Sequence, residues 1–177
     1  MVLRFGSRPP LIRNTMHQSN RDTIEAFYSA FRRKDAAAMV ACYAPAVRFN
    51  DPVFSLEGWR ARAMWRMLCD RAQDLRIECR DISADETSGS AHWEAWYTFS
   101  ATGRPVHNVI DANFVFDRGL ITRHEDRFDL HRWSSQALGM KGRLLGWAPP
   151  VQRAVRRQAA RSLDAYIRGA GLTESTA

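Results

Sequence analysis

The sequence lacks the long apolar runs that membrane-spanning helices require. No segment approaches the roughly 20 consecutive apolar residues that cross a bilayer. Residues 1–18 contain arginines and two prolines, but no continuous apolar stretch of the signal-peptide type. We therefore expect a cytoplasmic protein with no membrane span. Met16 is an alternative start, and residues 1–18 are predicted to be a mobile N-terminal segment.

Cysteine is scarce, and the usual ligand and nucleophile motifs are missing. The three cysteines, at positions 42, 69 and 79, form no CxxC pair and show no Cys/His ligand spacing, so we expect buried, reduced thiols. The five histidines show no HExxH pattern. There is also no glycine-rich phosphate loop and no GxSxG elbow. We therefore predict neither a cofactor nor a metal site, leaving open that His107, His124 and Asp126 converge on neighbouring strands.

Acidic residues are few at both ends of the chain. Residues 1–20 contain three arginines and no acid, and residues 141–177 contain seven bases and two acids. The formal charge of +7 therefore belongs to the ends, while the body is nearly neutral. A nucleic-acid-binding domain needs a basic surface on its folded core. We expect no nucleic-acid partner.

What the chain does have is apolar material for one core. Its 177 residues are 45% hydrophobic and 11% aromatic, which suits one folded domain. Residues 19–138 carry the folding patterns of that domain. Residues 139–150 read as a linker, and residues 151–168 as a basic amphipathic helix. We expect this helix to pack on its own domain or on a partner subunit rather than on a membrane surface.

Helical patterns come first and strand patterns follow. Ser19 or Asn20 is a candidate cap for a first helix, and Asp35 for a second, which the pattern extends to Tyr43. A third helix is predicted over residues 58–70. Beyond it the apolar period changes to two, which predicts strands near residues 75–80, 91–99, 106–116 and 120–129. The predicted class is α+β, with helices packed on one face of a curved antiparallel sheet.

Asp51 lies where a short strand meets a proline. Val47 and Phe49 alternate with polar residues, and Pro52 cannot donate to a strand ladder, so the strand should end at Asp51. A carboxylate that points between the sheet and the helices gains basicity through desolvation, as a general base near neutral pH requires. The alternative is an acid that caps the next loop.

The strand faces suggest further site residues. His124 and Asp126 share a face of the last strand and form a pair suited to moving protons, unless both are solvated at the sheet end. On the preceding strand, alternation alone puts Asp111 and Asn113 outside. In the aromatic strand, Trp93 and Tyr97 are candidate pocket walls, with plain core packing as the alternative.

Four motifs together resemble a known superfamily. They are FYSAFRRKD at 27–35, YAPAVRFNDP at 43–52, DRGLI at 117–121 and HEDRFD at 124–129. In this order and spacing, residues 21–133 look like a member of the nuclear-transport-factor-2-like superfamily, in its SnoaL-like and ketosteroid-isomerase-like branch. The resemblance implies a cone-shaped fold with a pocket at its wide end and a homodimer through the outer sheet face.

Ketosteroid isomerases are similar at the Asp-Pro step, which implies that Asp51 is a general base. Their second carboxyl, kept protonated to donate a hydrogen bond, is matched by Asp111. A bulge would be needed to turn that residue inward. The tyrosine of their oxyanion hole is matched by Phe27, with Tyr28 one position further.

Limonene-epoxide hydrolases are similar in the last strand, where Asp126 matches a catalytic acid. Their mechanism also uses an arginine and a second aspartate on an earlier strand, where this chain has Ala95 and Tyr97. The triad is therefore incomplete here.

These observations predict a cofactor-independent acid–base enzyme, of isomerase, cyclase or hydrolase type, acting on an apolar small molecule. The candidate catalytic residues are Asp51, Asp126, Asp111 and His124. The candidate ligand-binding residues are Tyr28, Phe27, Trp65, Trp93, Tyr97 and Asn113. Two alternatives remain: a non-catalytic small-ligand binder of the same fold, and an interaction module that uses the sheet face and the basic C-terminal helix.

Overall fold

The computed structural model describes the backbone of residues 11–174 and the side chains of residues 20–174. Within that part the elements are α1 (Leu11–Arg32), α2 (Ala36–Ala41), β1 (Tyr43–Asn50), β2 (Ser55–Glu57), α3 (Trp59–Arg71), β3 (Arg76–Ala84), β4 (Ser88–Phe99), β5 (Arg104–Asp117), β6 (Leu120–Arg127), α4 (Leu130–Ala137), α5 (Met140–Leu145) and α6 (Pro149–Gly169). The predicted α+β class, with helices on a curved sheet and an added C-terminal helix, is confirmed.

The first helix begins earlier than predicted. Helix α1 starts at Leu11, so neither Ser19 nor Asn20 caps it. The Asn20 side chain instead donates to the carbonyl oxygens of Asp85 (2.8 Å) and Glu86 (3.1 Å). These bonds tie α1 to the turn between β3 and β4. Residues 1–10 of the segment predicted to be mobile lie outside the described residues.

The second helix is shorter than predicted. Asp35 caps it as expected, because its side chain accepts a hydrogen bond from the Ala38 N–H at 3.0 Å. The helix ends at Ala41, however, and Tyr43 opens strand β1. Pro45 fixes its own φ and disfavours a helical conformation in the residue before it, which ends the helical pattern early. This correction places Tyr43 in the sheet.

The sheet has the order β2-β1-β6-β5-β4-β3. Strand β1 is parallel to β6, and every other neighbouring pair is antiparallel. The helix-facing side of β5 is fully apolar where it is buried. Its buried residues are Val106, Ile110, Ala112, Phe114 and Phe116. Helices α1 to α3 enclose the main core with this face, except that Val106 packs in a second cluster against α4.

Asp111 and Asn113 lie on the opposite, outer face, which corrects their predicted place in the pocket. The β4–β5 ladder runs without a register shift from Ser88↔Val115 to Phe99↔Arg104, so no bulge turns Asp111 inward. Strict alternation then exposes it, as the pattern alone indicated. Its carboxylate is 2.7 Å from the His92 Nδ1 atom and is 73% exposed.

The C-terminal part of the chain packs on the domain. Leu163 and Ile167 of α6 are buried in the main core, and Arg60 of α3 pairs with Asp164 at 2.6 Å. The predicted packing of the basic helix on its own domain is therefore confirmed. The predicted linker is wrong in one respect, because it contains helix α5. Within residues 11–174, no helix combines the length and the apolar character that crossing a bilayer requires.

Gly142, in α5, gives a stability prediction for this region. A Cβ atom there would lie 1.8 Å from the Ser134 carbonyl oxygen, so Gly142→Ala forces two backbones apart. We expect a loss of about 1–3 kcal/mol in the free energy of unfolding, measured by urea denaturation. The control is Gly169→Ala, where the new Cβ meets no atom within 4 Å, and which should be neutral or slightly stabilising. Equal effects of the two changes would contradict the close packing of α5.

Candidate functional site

Asp51 directly follows strand β1, and Asp126 lies on the neighbouring strand β6. In the parallel β1–β6 pair, Phe49 is opposite His124 and Asn50 is opposite Glu125. Phe49 and His124 are both buried in the core. Since side chains alternate along a strand, Asp126, two positions beyond His124, faces the same interior and is buried. The charge of Asp126 contributes to the raised pKa of Asp51, so the two predicted acids are close enough to interact electrostatically.

A chain of hydrogen bonds fixes the fully buried His124. The Trp65 Nε1 atom is 2.7 Å from the Tyr43 hydroxyl, which is 2.7 Å from His124 Nδ1. His124 Nε2 is 3.0 Å from Asp126 Oδ1, to which Trp93 Nε1 also donates at 3.2 Å. Tryptophan can only donate, so the tyrosine oxygen accepts from it. A carboxylate can only accept, so the histidine proton is assigned to Nε2, where it donates to Asp126, and Nδ1 accepts the tyrosine O–H.

Aromatic rings enclose the His124 ring. Trp65 stacks on it with centroids 5.8 Å apart and an interplanar angle of 17°, and Phe27 meets it edge-on at 5.5 Å. Phe49 and Phe114 lie at 5.2 and 4.4 Å. Phe27 and Trp65 are thus packed in the core against His124. Their contact with a ligand stays a prediction.

Asp51 is both a loop cap and a perturbed acid. Its Oδ1 accepts hydrogen bonds from the N–H groups of Val53 (2.6 Å) and Phe54. Burial nevertheless raises its pKa to about 7, and the charge of Asp126 adds to the rise. The two backbone N–H groups and the Arg156 cation lower the pKa, but burial outweighs them. Asp51 therefore caps the loop and also has the raised pKa that a general base requires, so the two interpretations of the sequence pattern do not exclude each other.

The Tyr28 hydroxyl makes no hydrogen bond to another described residue. Its side chain is buried, and its oxygen has no hydrogen-bond partner among the described residues. Burial raises its pKa, and the nearby charge of Asp126 raises it further, so the group is a neutral donor. Its ring is 5.7 Å from Trp93. A buried unpaired hydroxyl is costly, and an oxygen of a ligand would relieve that cost.

The Asp126 carboxylate also keeps bonding capacity. Its Oδ1 accepts from both His124 and Trp93. Its Oδ2 accepts no hydrogen bond within residues 20–174, so it retains the capacity to accept one from a ligand.

Tyr97 lies at the Asp51 end of the site. Its hydroxyl accepts a hydrogen bond from Trp133 Nε1 at 2.8 Å. Burial raises its pKa, the Trp133 bond lowers it, and the charge of Asp51 raises it. Tyr97 is part-exposed and packs in a second apolar cluster with Val106. Its position fits the predicted role of a wall, and that role stays a prediction.

Two contributors were missed by sequence reasoning. Tyr43 was assigned to a helix, although a buried tyrosine that opens a strand signals a need for a hydrogen-bond partner. Arg156 lies in the basic helix, and its Nε donates to the Pro52 carbonyl oxygen at 2.8 Å, beside Asp51. That contact joins residues far apart in the chain, and no local pattern indicates it.

The metal alternative is not supported by the geometry. His107 lies on the outer sheet face, where its ring stacks on Trp96 at 4.6 Å and its Nε2 is 2.6 Å from Glu94. His124 and Asp126 lie on the inner face, so the three groups do not converge. Among residues 20–174, no group of three or more His, Cys, Asp or Glu side chains is arranged to hold a metal ion.

Comparison with known proteins identifies the family. Residues 24–124, more than half of the chain, match the SnoaL-like domain. The chain belongs to the SnoaL-like domain family. No curated protein matches it in sequence.

Several solved structures share the fold of this SnoaL-like domain. One is a candidate polyketide cyclase of Xanthomonas campestris pv. campestris, with 24% identity and a TM-score of 0.58 over 69% of this chain and 98% of that one. An LEH-like epoxide hydrolase of M. tuberculosis has 20% identity and a TM-score of 0.57, over 76% and 96% of the two chains. A candidate ketosteroid isomerase of Kribbella flavida has 16% identity and a TM-score of 0.52, over 64% and 79%.

The hydrogen-bond chain predicts unequal effects for two tyrosines. Tyr43→Phe removes the hydroxyl that joins Trp65 to His124 and leaves two buried polar groups without partners. We expect a loss of about 1–3 kcal/mol for each unpaired group in the free energy of unfolding. The matched control is Tyr28→Phe, whose hydroxyl has no partner among the described residues and whose loss should not destabilise the fold. Equal losses would refute the assigned chain.

The raised pKa of Asp51 predicts how stability depends on pH. Its pKa is about 7 in the folded protein against 3.8 in the reference state, so folding takes up a proton between these values. The stabilisation that this group contributes below pH 3.8 is lost as the pH rises through 7, by at most about 4 kcal/mol. Asp51→Asn keeps the oxygen that caps the loop but cannot ionise. It should be more stable than the wild type above pH 7 and equal to it near pH 4.

Thermal unfolding from pH 4 to pH 8 measures this difference. The control is Asp117→Asn, whose side chain is 63% exposed and should show no comparable change. A pH-independent difference between the wild type and Asp51→Asn would show that Asp51 titrates normally.

Proposed function

We propose that this SnoaL-like protein is a cofactor-independent acid–base enzyme acting on an apolar small molecule between the helices and the sheet. One observation carries the proposal: Asp51, with its pKa raised to about 7 by burial, lies within electrostatic reach of the buried acid Asp126. A group whose pKa is near the working pH takes and returns protons most effectively.

The neighbouring groups suggest a division of roles. Asp51 takes a proton from a carbon beside a carbonyl, or from an attacking water molecule, and later returns it. Tyr28 donates its free O–H to the substrate oxygen on which negative charge develops. His124 and Trp93 hold the Asp126 carboxylate in place, and the charge of Asp126 helps to keep Asp51 basic. His124 is therefore proposed as a positioning residue.

The names of the structural neighbours support the reaction class and not a particular reaction. Their names point to cyclase, epoxide hydrolase and isomerase activities. In this chain the match to the second isomerase carboxyl, Asp111, lies on the outer face. The positions expected for the arginine and second aspartate of the epoxide hydrolases hold Ala95 and Tyr97. We therefore propose proton transfer on an apolar substrate without choosing among the three reactions.

Three chemical probes test the activity: a Δ5-3-ketosteroid, a cyclic terpene epoxide and an aromatic polyketide ester. We expect turnover of at least one, with a rate that rises with pH through an inflection near 7 as Asp51 ionises. Asp51→Asn should lower kcat on the order of 10²–10⁴-fold. Tyr28→Phe should lower kcat while leaving the fold stable.

Asp111→Asn, on the outer face, is the matched acid control and should keep full activity. A pH–rate profile without an inflection between 6 and 8 would contradict the role of Asp51, whereas loss of activity in Asp111→Asn would contradict the assigned face.

A second candidate is a non-catalytic binder of the same class of ligand. It is favoured by the two backbone N–H groups that already occupy Asp51 Oδ1, since a loop cap alone explains that geometry. A binder would be stabilised thermally by a probe in proportion to ligand concentration, with no product formed. Turnover that Asp51→Asn abolishes excludes this candidate.

The homodimer also remains a proposal. The outer sheet face carries the exposed Val115 and the stacked pair Trp96 and His107. Such a surface suits contact with a second copy of the chain, which sedimentation equilibrium tests directly. The cytoplasmic location stays a prediction from the sequence.

A further inference from the structure

Helix α5 and the residue pair after it turn large apolar side chains toward solvent. Met140 is 66% exposed, Leu144 62%, Leu145 52% and Trp147 65%. We call these four residues the outward patch. Single exposed apolar residues are ordinary, but four large ones within one short stretch concentrate apolar surface in the way that marks an interaction site.

The outward patch follows from how α5 is packed. Gly142 and Gly146 face α4 and are buried. A Cβ atom on Gly142 would lie 1.8 Å from the Ser134 carbonyl oxygen, and one on Gly146 would lie 2.8 Å from the Ser134 Cβ. Only glycine fits on this side of the helix, so the large side chains must point away. An ordinary surface helix shows the reverse arrangement, with large apolar residues inside.

The chain segment that carries the patch, between Asp129 and Asp164, is basic. Residues 130–163 contain seven lysines and arginines and no acidic residue. Lys141 and Arg143 lie on α5 itself, and Arg153 and Arg157 follow on α6, all of them exposed. Apolar side chains with a tryptophan among them, bordered by bases, are the combination that seats a helix in the headgroup region of an anionic bilayer.

We propose that the outward patch docks this protein on the surface of a bilayer that contains anionic lipid. The apolar side chains of the patch enter the acyl boundary, and the neighbouring bases contact the phosphate headgroups. Charge argues for lipid over a second copy of the chain. A twofold contact through the same patch would bring the bases of two copies together, a repulsion that contact with anionic lipid avoids.

The outward patch is connected through the start of α6 to the Asp51 end of the site, so docking would place that end near the membrane. Val155, near the start of α6, packs in one cluster with Val53, and Arg156 bonds to the Pro52 carbonyl oxygen. Both contacts are next to Asp51. Docking through α5 and the start of α6 would therefore hold the Asp51 end of the site near a phase in which apolar molecules dissolve. This use rests on the proposed function, but the docking itself does not.

Co-sedimentation with vesicles tests the docking in the full-length chain. We expect binding to vesicles of equimolar phosphatidylglycerol and phosphatidylcholine, weakened by added salt, and little binding to phosphatidylcholine alone. Leu144→Ser and Leu145→Ser should each weaken binding on the order of tenfold. Lys141→Gln, Arg153→Gln and Arg157→Gln should each weaken it about fivefold.

Matched controls lie elsewhere on the surface. Val115→Ser and Leu120→Ser remove exposed apolar side chains of other elements. Arg118→Gln removes the charge of an arginine whose side chain is 89% exposed. These variants should bind as the wild type does, and unchanged thermal unfolding confirms that each variant folds.

Three outcomes would overturn the docking: no binding to either vesicle, equal binding to both, or binding that the Leu144 and Leu145 variants do not change. Self-association without vesicle binding, lost in Leu144→Ser, would assign the patch to a second copy. None of these outcomes touches the activity proposal, because turnover of the three probes is measured without lipid.

Discussion

The hydrogen bond between Tyr43 and His124 is the interaction on which the site depends. A histidine with no exposed surface must satisfy both ring nitrogens inside the protein, and Tyr43 satisfies one of them. By donating to Nδ1, Tyr43 fixes the proton on Nε2, which orients Asp126. The same bond joins the start of β1 to β6. It therefore stabilises both the pairing of these strands, which brings Asp51 near Asp126, and the orientation of Asp126.

The charges of Asp51 and Asp126 repel each other, and the structure stabilises the two charges to different degrees. Asp126 receives two side-chain donors. Asp51 receives two backbone donors and a nearby arginine, yet burial still keeps its pKa at about 7. Near Asp126, the Tyr28 hydroxyl has no partner among the described residues. Nearby acids and an unpaired buried hydroxyl lower the free energy of unfolding. Such destabilising features are common in sites that bind or transform a ligand.

The sequence was informative where the pattern was local and periodic. The end of β1 at Asp51 followed from alternation and one proline, and the shared face of His124 and Asp126 followed from their spacing. The outer position of Asp111 also followed from alternation, and the family resemblance misdirected it because a match by spacing from a hairpin glycine does not fix the sheet face on which a side chain lies. Tyr43, Arg156 and the inward glycines of α5 were missed. Each depends on a contact between distant segments, which no local pattern encodes.

The parallel pairing of β1 with β6 has a consequence for how the protein forms. Strands β3 to β6 are joined by short turns, so their contacts are local, whereas β1 meets β6 only after most of the chain has been brought into place. Closing so long a loop is slow and costs entropy before it is rewarded. The paired acids would then be created late on the folding route. Early intermediates would escape their repulsion, and loss of this one strand pair would dismantle the site while leaving the meander intact.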